Sequence, residues 1–305
     1  MSTVKRKTLV INYLKEHTNT IVSHLLELSK ISKNAWYSKK KEPDTTRKEC
    51  ILSLIKEVKE SEFHYYGYNR ITTAIKAVHA IALGHNYVYK IMKENGLLQK
   101  KKKSFKPKMT NSKHDLPTYV NLVKDIPFIF PYQVYASDTT YIRIGKKFAY
   151  LALVYDCGLH TIVGHALSYR NDTELVMEAL NMALSNAKIL PEFHHSDRGS
   201  TYCSNKHSKL LTEKGIKISN ADVGMSVDNP YAESLNARIK EECIQFHDFQ
   251  NIHEAREVIE KYIEQYNNRR IHSSLGMSPS SYEKTLSLSE QGKWLKVSKT
   301  VLESP

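Results

Sequence analysis

The chain of 305 residues is short of cysteine, of acid and of long apolar runs. Its four cysteines, Cys50, Cys157, Cys203 and Cys243, form no CxxC pair, which argues against a disulfide framework and leaves free thiols as the expectation. No stretch of 18 apolar residues and no leader-like start is present, so no membrane partner is expected and the expected location is cytoplasmic. Acids are outnumbered, 32 Asp plus Glu against 45 Lys plus Arg, for a formal charge of +13. That surplus points to a polyanionic partner, although a ribosomal or RNA-binding protein would look the same on charge alone. The length allows two or three domains with a real core.

Three of the scarce acids stand out by context: Asp138 in YASDTTYIRI, Asp197 in FHHSDRGSTY and Glu233 in SVDNPYAESLNARIKEE. Asp197 and Glu233 have 35 residues between them, but ten Asp and 22 Glu would give such a pair about 0.7 times by chance. Spacing therefore decides nothing. Val134, Ala136, Ile142 and Ile144 share the parity of Asp138, so a strand here turns that carboxylate toward an apolar face. Such a group pairs, binds a metal or gives up its charge, and a structurally satisfied Asp is the plain alternative. Asp197 ends a short run at Ile189 to His195 and precedes Arg198-Gly199-Ser200, which suits a strand end or an ordinary turn. Around Glu233 a helix start is legible: Asp228 or Asn229 can cap, Pro230 suits the first position, and Leu235, Ile239 and Cys243 recur as an apolar stripe. Glu233 lies off that stripe, with Lys240 two turns further along nearly the same face; an exposed Lys240 paired with Glu241 is the alternative.

Five regions follow along the chain. Residues 1–45 read as helical with a possible helix-turn-helix, a basic aromatic helix following a break in IVSHLLELSKISKNAWYSKKK. Residues 46–99 hold a helix over Arg47 to Ser61, then one from about Asn69, a Leu-Gly-His break and another from about Asn86. Tyr87, Lys90 and Lys93 fall on neighbouring turns, suited to phosphates and base edges, unless the pair is a purely structural hairpin. Residues 100–118 are a basic linker whose Lys100, Lys101, Lys102 and Lys103 open KKKKSFKPK, a solvated run that can also neutralise phosphates. Residues 119–285 contain strands at Gln133–Ile144, Lys147–Tyr155 and Ile162–Ser168, the second apolar on both parities and hence expected to be central. A helix over Thr173–Ser185, capped by Asp172 or Thr173, leads to a short strand into Asp197, a helix near His207–Lys214, a strand near Ile216–Ser219, the Glu233 helix and an amphipathic helix over Ile252–Asn267. In NRRIHSSLGMSP beyond it, Arg269, Arg270 and His272 either lie against DNA or dock this segment on the core. Residues 286–305 are a polar tail. Asp156 competes with the three acids, but Cys157-Gly158-Leu159-His160 after it suits a bend, so it reads as a turn residue.

SDTTYI, HSDRGSTY, DNPYAES with Lys240 seven beyond Glu233, and YNNRRIHSSLGMSPSSY together resemble the catalytic subunit of bacterial insertion-sequence transposases of the DDE type, whose frame lies downstream of a small helix-turn-helix frame. The resemblance spans Pro131 to Tyr282 strongly and Tyr68 to Leu98 more weakly. It implies an α/β, RNase H-like integrase core, a mixed sheet flanked by helices and preceded by all-α helix-turn-helix regions. It implies that Asp138, Asp197 and Glu233 hold two Mg²⁺ (or Mn²⁺) ions for in-line cleavage and joining of DNA ends. The implied partners are double-stranded DNA of element ends and target, further copies of the chain on that DNA, and an upstream helix-turn-helix protein, fused or separate. DNA contact is expected from Lys240, Arg269, Arg270, His272, Tyr87, Lys90, Lys93 and Lys100 to Lys103. Retroviral integrases carry a zinc module of two His and two Cys, which His17, His24 and Cys50 do not make. A nuclease of the same fold without joining activity, or a DNA-binding regulator without chemistry, are the other readings.

Overall fold

Asp138 sits in a strand, β1 (Val134–Ile144), whose alternate residues Val134, Ala136, Ile142 and Ile144 are all buried. A two-residue turn, Gly145 with φ +55° and Lys146, reverses the chain into β2 (Lys147–Asp156), which pairs with β1 antiparallel from Ile144↔Lys147 to Tyr135↔Asp156. Positive φ is the conformation a tight hairpin asks of its turn residues, and Gly adopts it without steric cost. β3 (Thr161–Ser168) completes an antiparallel meander, with an irregularity at Val154/Tyr155. Two short strands, β4 (Phe193–Ser196) and β5 (Lys217–Asn220), then add in parallel on the free edge of β1. The order is β3-β2-β1-β4-β5. β2 is an inner strand paired on both sides, as its apolar pattern suggested, and β1 stands third of the five. β2 is apolar on both faces because helices cover both, and central rank was decided by where the parallel strands docked.

The structure is a computed structural model and describes residues 3–18, 20–33, 36, 45–61, 63–99, 116–126, 129–222 and 229–286. It divides into two units, residues 1–53 and 54–305. In the first, α1 (Thr3–His17) and α2 (Val22–Ser29) gather a small core of Ile11, Leu25, Leu26 and Ile31. The division falls inside α3 (Thr45–Glu60), eight residues beyond the boundary drawn from the sequence. In the second unit α4 (Tyr68–His79) and α5 (His85–Glu94) form the expected helix pair, burying Ile71, Ala74 and Ile75 on one and Val88, Ile91 and Met92 on the other.

Helix α6 (Thr173–Ser185) crosses β2 and β3, with Asp172 as its cap accepting from the Leu175 N–H at 3.1 Å. It comes so close that a Cβ at Gly164 would stand 2.2 Å from the Ala179 carbonyl oxygen, so β3 needs glycine there. Tyr135, Ala152, Val154, Ala166, Leu175, Val176 and Tyr202 fill this side. Helix α7 (Asn205–Glu213) joins the β4 and β5 end. On the opposite face lie α8 (Pro230–Glu242) against β1 and α9 (Ile252–Asn268) against β3, followed by α10 (Pro279–Thr285). α9 also covers the edge left open by β3: Asn267 accepts from the Ile162 N–H at 2.9 Å and donates to its carbonyl at 2.8 Å, and Arg256 donates to Leu167 at 3.0 Å. An edge whose backbone groups are met in this way is no template for another strand.

Candidate active site

Parallel pairing puts Ser137 opposite Ser196, so Asp138 and Asp197 follow one residue later on neighbouring strands, about 5 Å apart by sheet geometry. Asp197 stands where β4 ends and its side chain accepts from the Gly199 N–H at 2.9 Å. The turn reading of Asp197 holds, and the turn fixes the orientation of the carboxylate. A Cβ at Gly199 would come within 3.0 Å of that carboxylate oxygen. Helix α8 brings the third acid. Asn229 occupies the N-cap position with Pro230 behind it, but its side chain donates to the Ser137 carbonyl at 3.0 Å instead of capping. This ties the start of α8 to the residue preceding Asp138. Glu233 lies in the first turn of α8, exposed, off the buried stripe of Leu235, Ile239 and Cys243.

The carboxyl of Asp138 is pushed up to about 7, first by burial and then by the charges of Asp197 and Glu233. The Thr139 N–H at 2.8 Å and the Asn236 amide at 2.7 Å, one on each carboxylate oxygen, pull the other way. Asn236 escaped sequence reasoning. Its signal is the spacing Glu233, Asn236, Lys240, which is one face of α8. Lys240 reaches the ring of Tyr141 on β1, its ammonium 4.1 Å from the centroid.

Asp156 takes no part in this group. It lies opposite Tyr135, an odd number of residues from the Asp138↔Leu153 pair, and so faces the other side of the sheet. It is buried and accepts three backbone N–H groups, Gly158 and Leu159 at 2.9 Å and Tyr132 at 3.1 Å. Those bonds hold two turns together, with Tyr132 and His160 both at positive φ and Gly158 backed against Phe130.

Comparisons with known proteins identify the family. Residues 130–226 and 214–279 match the family described as "Integrase core domain", and residues 46–105 match "HTH-like domain". The "Insertion element IS600 uncharacterized 31 kDa protein" of Shigella sonnei is 34% identical over 259 residues, covering 83% of this chain and 94% of that one. The chain belongs to the insertion-sequence transposases with an integrase core. The transposase is also 28% identical to "Transposase InsF for insertion sequence IS3A" of Escherichia coli K12, over 88% of this chain and 96% of that protein. Among solved structures, the HTLV-2 integrase catalytic core domain in complex with magnesium aligns with a TM-score of 0.42 at 16% identity, over 51% of this chain and 98% of that one. The transposase is a DDE enzyme that cleaves DNA and transfers strands. Among its described residues no helix is long and apolar enough to cross a membrane.

Two of the residues expected on DNA are instead inside the transposase. Arg270 is 1% exposed and makes a two-pronged bond to Glu242 at the end of α8, Nε to Oε2 and Nη2 to Oε1, both 2.6 Å. His272 is 5% exposed; Arg238 of α8 donates to its Nε2 at 2.8 Å, so Nδ1 carries the proton and donates to Ser274 at 2.9 Å. Burial, His160 and the nearby arginines push His272 down to about 3, so it is neutral and offers no charge to a phosphate. Both residues dock the segment after α9 on the core, the other option the sequence left open. Arg269 is exposed, and so are Tyr87, Lys90 and Lys93, on the face of α5 opposite Val88, Ile91 and Met92. Lys100 to Lys103 and Asp228 lie outside the described residues.

Behind Asp138 the sheet carries a buried histidine pair. His194 shares a hydrogen bond with Ser137 at 2.8 Å, and its ring lies 5.0 Å from that of His207. Burial pushes His207 down to about 4 and His194 well below its ordinary value. A depressed folded value means that the unfolded chain binds the proton first, so this stability is present above about pH 6.5 and lost as pH falls from there toward about 4. For His207 alone the loss at pH 5 is about 2 kcal/mol. Thermal melts from pH 7.5 to 5 should show it, and His207→Phe should flatten the profile; an unchanged slope in that variant would place the acid sensitivity elsewhere.

Proposed function

We propose that Asp138, Asp197 and Glu233 are the acids with which this transposase cuts the ends of its element and joins them to target DNA, holding two divalent ions, Mg²⁺ or Mn²⁺. The observation that carries the reading is the placement of Asp138: two strands and a helix bring Asp197 and Glu233 near enough that their charges, after burial, raise the cost of ionising it. Carboxylates left so close are compensated by cations. All three offer hard oxygen donors, and the hydrogen bonds from Thr139 and Asn236 occupy only one lone pair on each oxygen of Asp138. Among the described residues no three His, Cys, Asp or Glu side chains already surround one point. An open array suits Mg²⁺, which keeps waters and borrows phosphate oxygens from substrate. When bound, such ions lower the pKa of the attacking water or 3′-hydroxyl and neutralise charge on the leaving oxygen.

The chain's own residues do the positioning. Asn236 and the Thr139 N–H set the rotation of the Asp138 carboxylate, and the Asn229 bond to Ser137 sets where the first turn of α8 presents Glu233. Lys240, two turns on along α8, holds its ammonium over the ring of Tyr141 and from there meets a phosphate of the scissile strand. Tyr87, Lys90 and Lys93 of α5, with Arg269 and the Lys100 to Lys103 run, supply further contacts to duplex DNA. An element has two ends to be joined at one target, so more than one copy acts together on the DNA.

Because ions bind only the folded array, Mg²⁺ or Mn²⁺ should raise the melting temperature of the wild type by a few degrees at about 100 times Kd. The triple variant Asp138→Asn, Asp197→Asn, Glu233→Gln should not respond. Equal shifts in both proteins would remove the three acids as the metal site.

A further inference from the structure

The sequence HYYGYNR, residues 64–70, lies within the HTH-like domain, yet His64, Tyr66 and Arg70 meet the catalytic core. Tyr66 is fully buried, and its hydroxyl accepts from the Ile271 N–H at 2.7 Å. His64 stands edge-on to Phe246, with ring centroids 4.5 Å apart. Arg70, in the first turn of α4, lies 5.5 Å over the ring of Tyr66 and donates to Glu242 Oε1 at 2.9 Å. Glu242 is the last residue of α8, the helix whose first turn carries Glu233. Glu242 lies nine residues beyond Glu233, about 13 Å along a rigid rod.

The charges at Glu242 show what Arg70 is for. Arg270 alone already satisfies Glu242 with two bonds, and Tyr262 adds a third at 2.9 Å. The carboxylate is held below its ordinary value, with the Arg270 bonds the largest of the influences that outweigh burial. Neutralising the buried acid therefore requires no second guanidinium. What Arg70 adds is direction: a bond between residues 172 apart in sequence, from the helix pair of the HTH-like domain to the far end of the catalytic helix. Apolar packing at this junction tolerates small rotations, whereas a charged hydrogen bond at 2.9 Å prefers one orientation.

We propose that Arg70 is a positioning residue for strand transfer: through Glu242 it sets the placement of α8, and hence of Glu233, relative to Asp138 and Asp197, so that the helix pair that meets the element end also sets the geometry of the acids. This rests on the three-acid reading above. A ligand that changes how α4 sits then changes the acid array through the Arg70–Glu242 contact, a coupling that runs along a rigid element with two anchored ends.

The test uses full-length protein and pre-cleaved element-end duplexes, with Arg70→Met, which keeps the stem against Tyr66 and removes the guanidinium, and Arg70→Lys. For Arg70→Met the expectation is end binding within about twofold of wild type and joining at saturating DNA slowed roughly tenfold, the scale on which a contact outside both sites shifts coupling. The Mg²⁺ concentration for half-maximal joining, and that for the metal-induced rise in melting temperature without DNA, should both increase severalfold. Arg70→Lys should recover part of each. A wild-type joining rate with wild-type Mg²⁺ dependence overturns the proposal, as does a loss of joining matched by equal losses of end binding and thermal stability, which would mark Arg70 as a fold contact only. Glu233→Gln is run beside them. Joining by that variant means the three-acid reading has failed, whereas its inactivity beside a wild-type Arg70→Met means that only this proposal has.

Discussion

Asp138→Asn, Asp197→Asn and Glu233→Gln should each lower strand cleavage and joining by about 10³-fold or more, since losing one ligand forfeits several kcal/mol of charge stabilisation in the transition state. Binding of element-end DNA should stay close to wild type, because the basic and aromatic residues of α5 and the lysines beyond it are untouched. Asp138→Asn carries a second signature. Its carboxyl is pushed up to about 7 by burial and by Asp197 and Glu233, so without metal the folded state pays for ionisation as pH rises. That contribution to stability is complete below the unfolded value near 4 and is lost as pH climbs through about 7. Across that window the stability of the metal-free wild type relative to Asp138→Asn should therefore fall as pH rises, the opposing His207 contribution being common to both proteins. Asp156→Asn is the control: it weakens the two turns held by Tyr132, Gly158 and Leu159 and leaves the chemistry running. Joining by any of the three acid variants, or loss in Asp156→Asn alone, would refute the assignment.

Arg270→Ala should destabilise the transposase by about 3–5 kcal/mol, the usual result of stripping one partner from a buried ion pair. In a unit of this size that is a fall in melting temperature of roughly 10 °C. Glu242 would be left buried with only Arg70 and Tyr262. Arg269→Ala, one residue away and exposed, should change stability by no more than about 0.5 kcal/mol. Differential scanning calorimetry without DNA separates the two cases. A melting temperature unmoved in Arg270→Ala, with DNA binding lost, would put this arginine on the DNA after all.

The two neighbouring arginines show where the sequence ran out. Nothing local distinguishes Arg269 from Arg270; both follow the polar end of α9. Arg270 is buried because Glu242 and Tyr262 come to meet it, and that meeting is settled by how α8 and α9 pack. The same holds for Asp156, an acid near the others in sequence pattern and yet on the opposite face, employed by backbone N–H groups that only the fold brings to it. Asn236 went unread because an Asn on a helix announces no partner until β1 lies beneath it.

Local pattern determined what depends on neighbours in the chain. Period-two burial gave the three-strand meander, cap and stripe residues placed α6, α8 and α9, and the Leu-Gly-His break separated α4 from α5. The combined motifs around Asp138, Asp197 and Glu233 identified the family. Only the tertiary structure decided that β1 is the middle strand, that Asp138 and Asp197 stand side by side through parallel pairing of β1 with β4, and that Arg270 and His272 serve the core. Those outcomes rest on hydrogen bonds and ion pairs between residues dozens to hundreds of positions apart, whose choice of partner is set by packing and not by the period of the sequence.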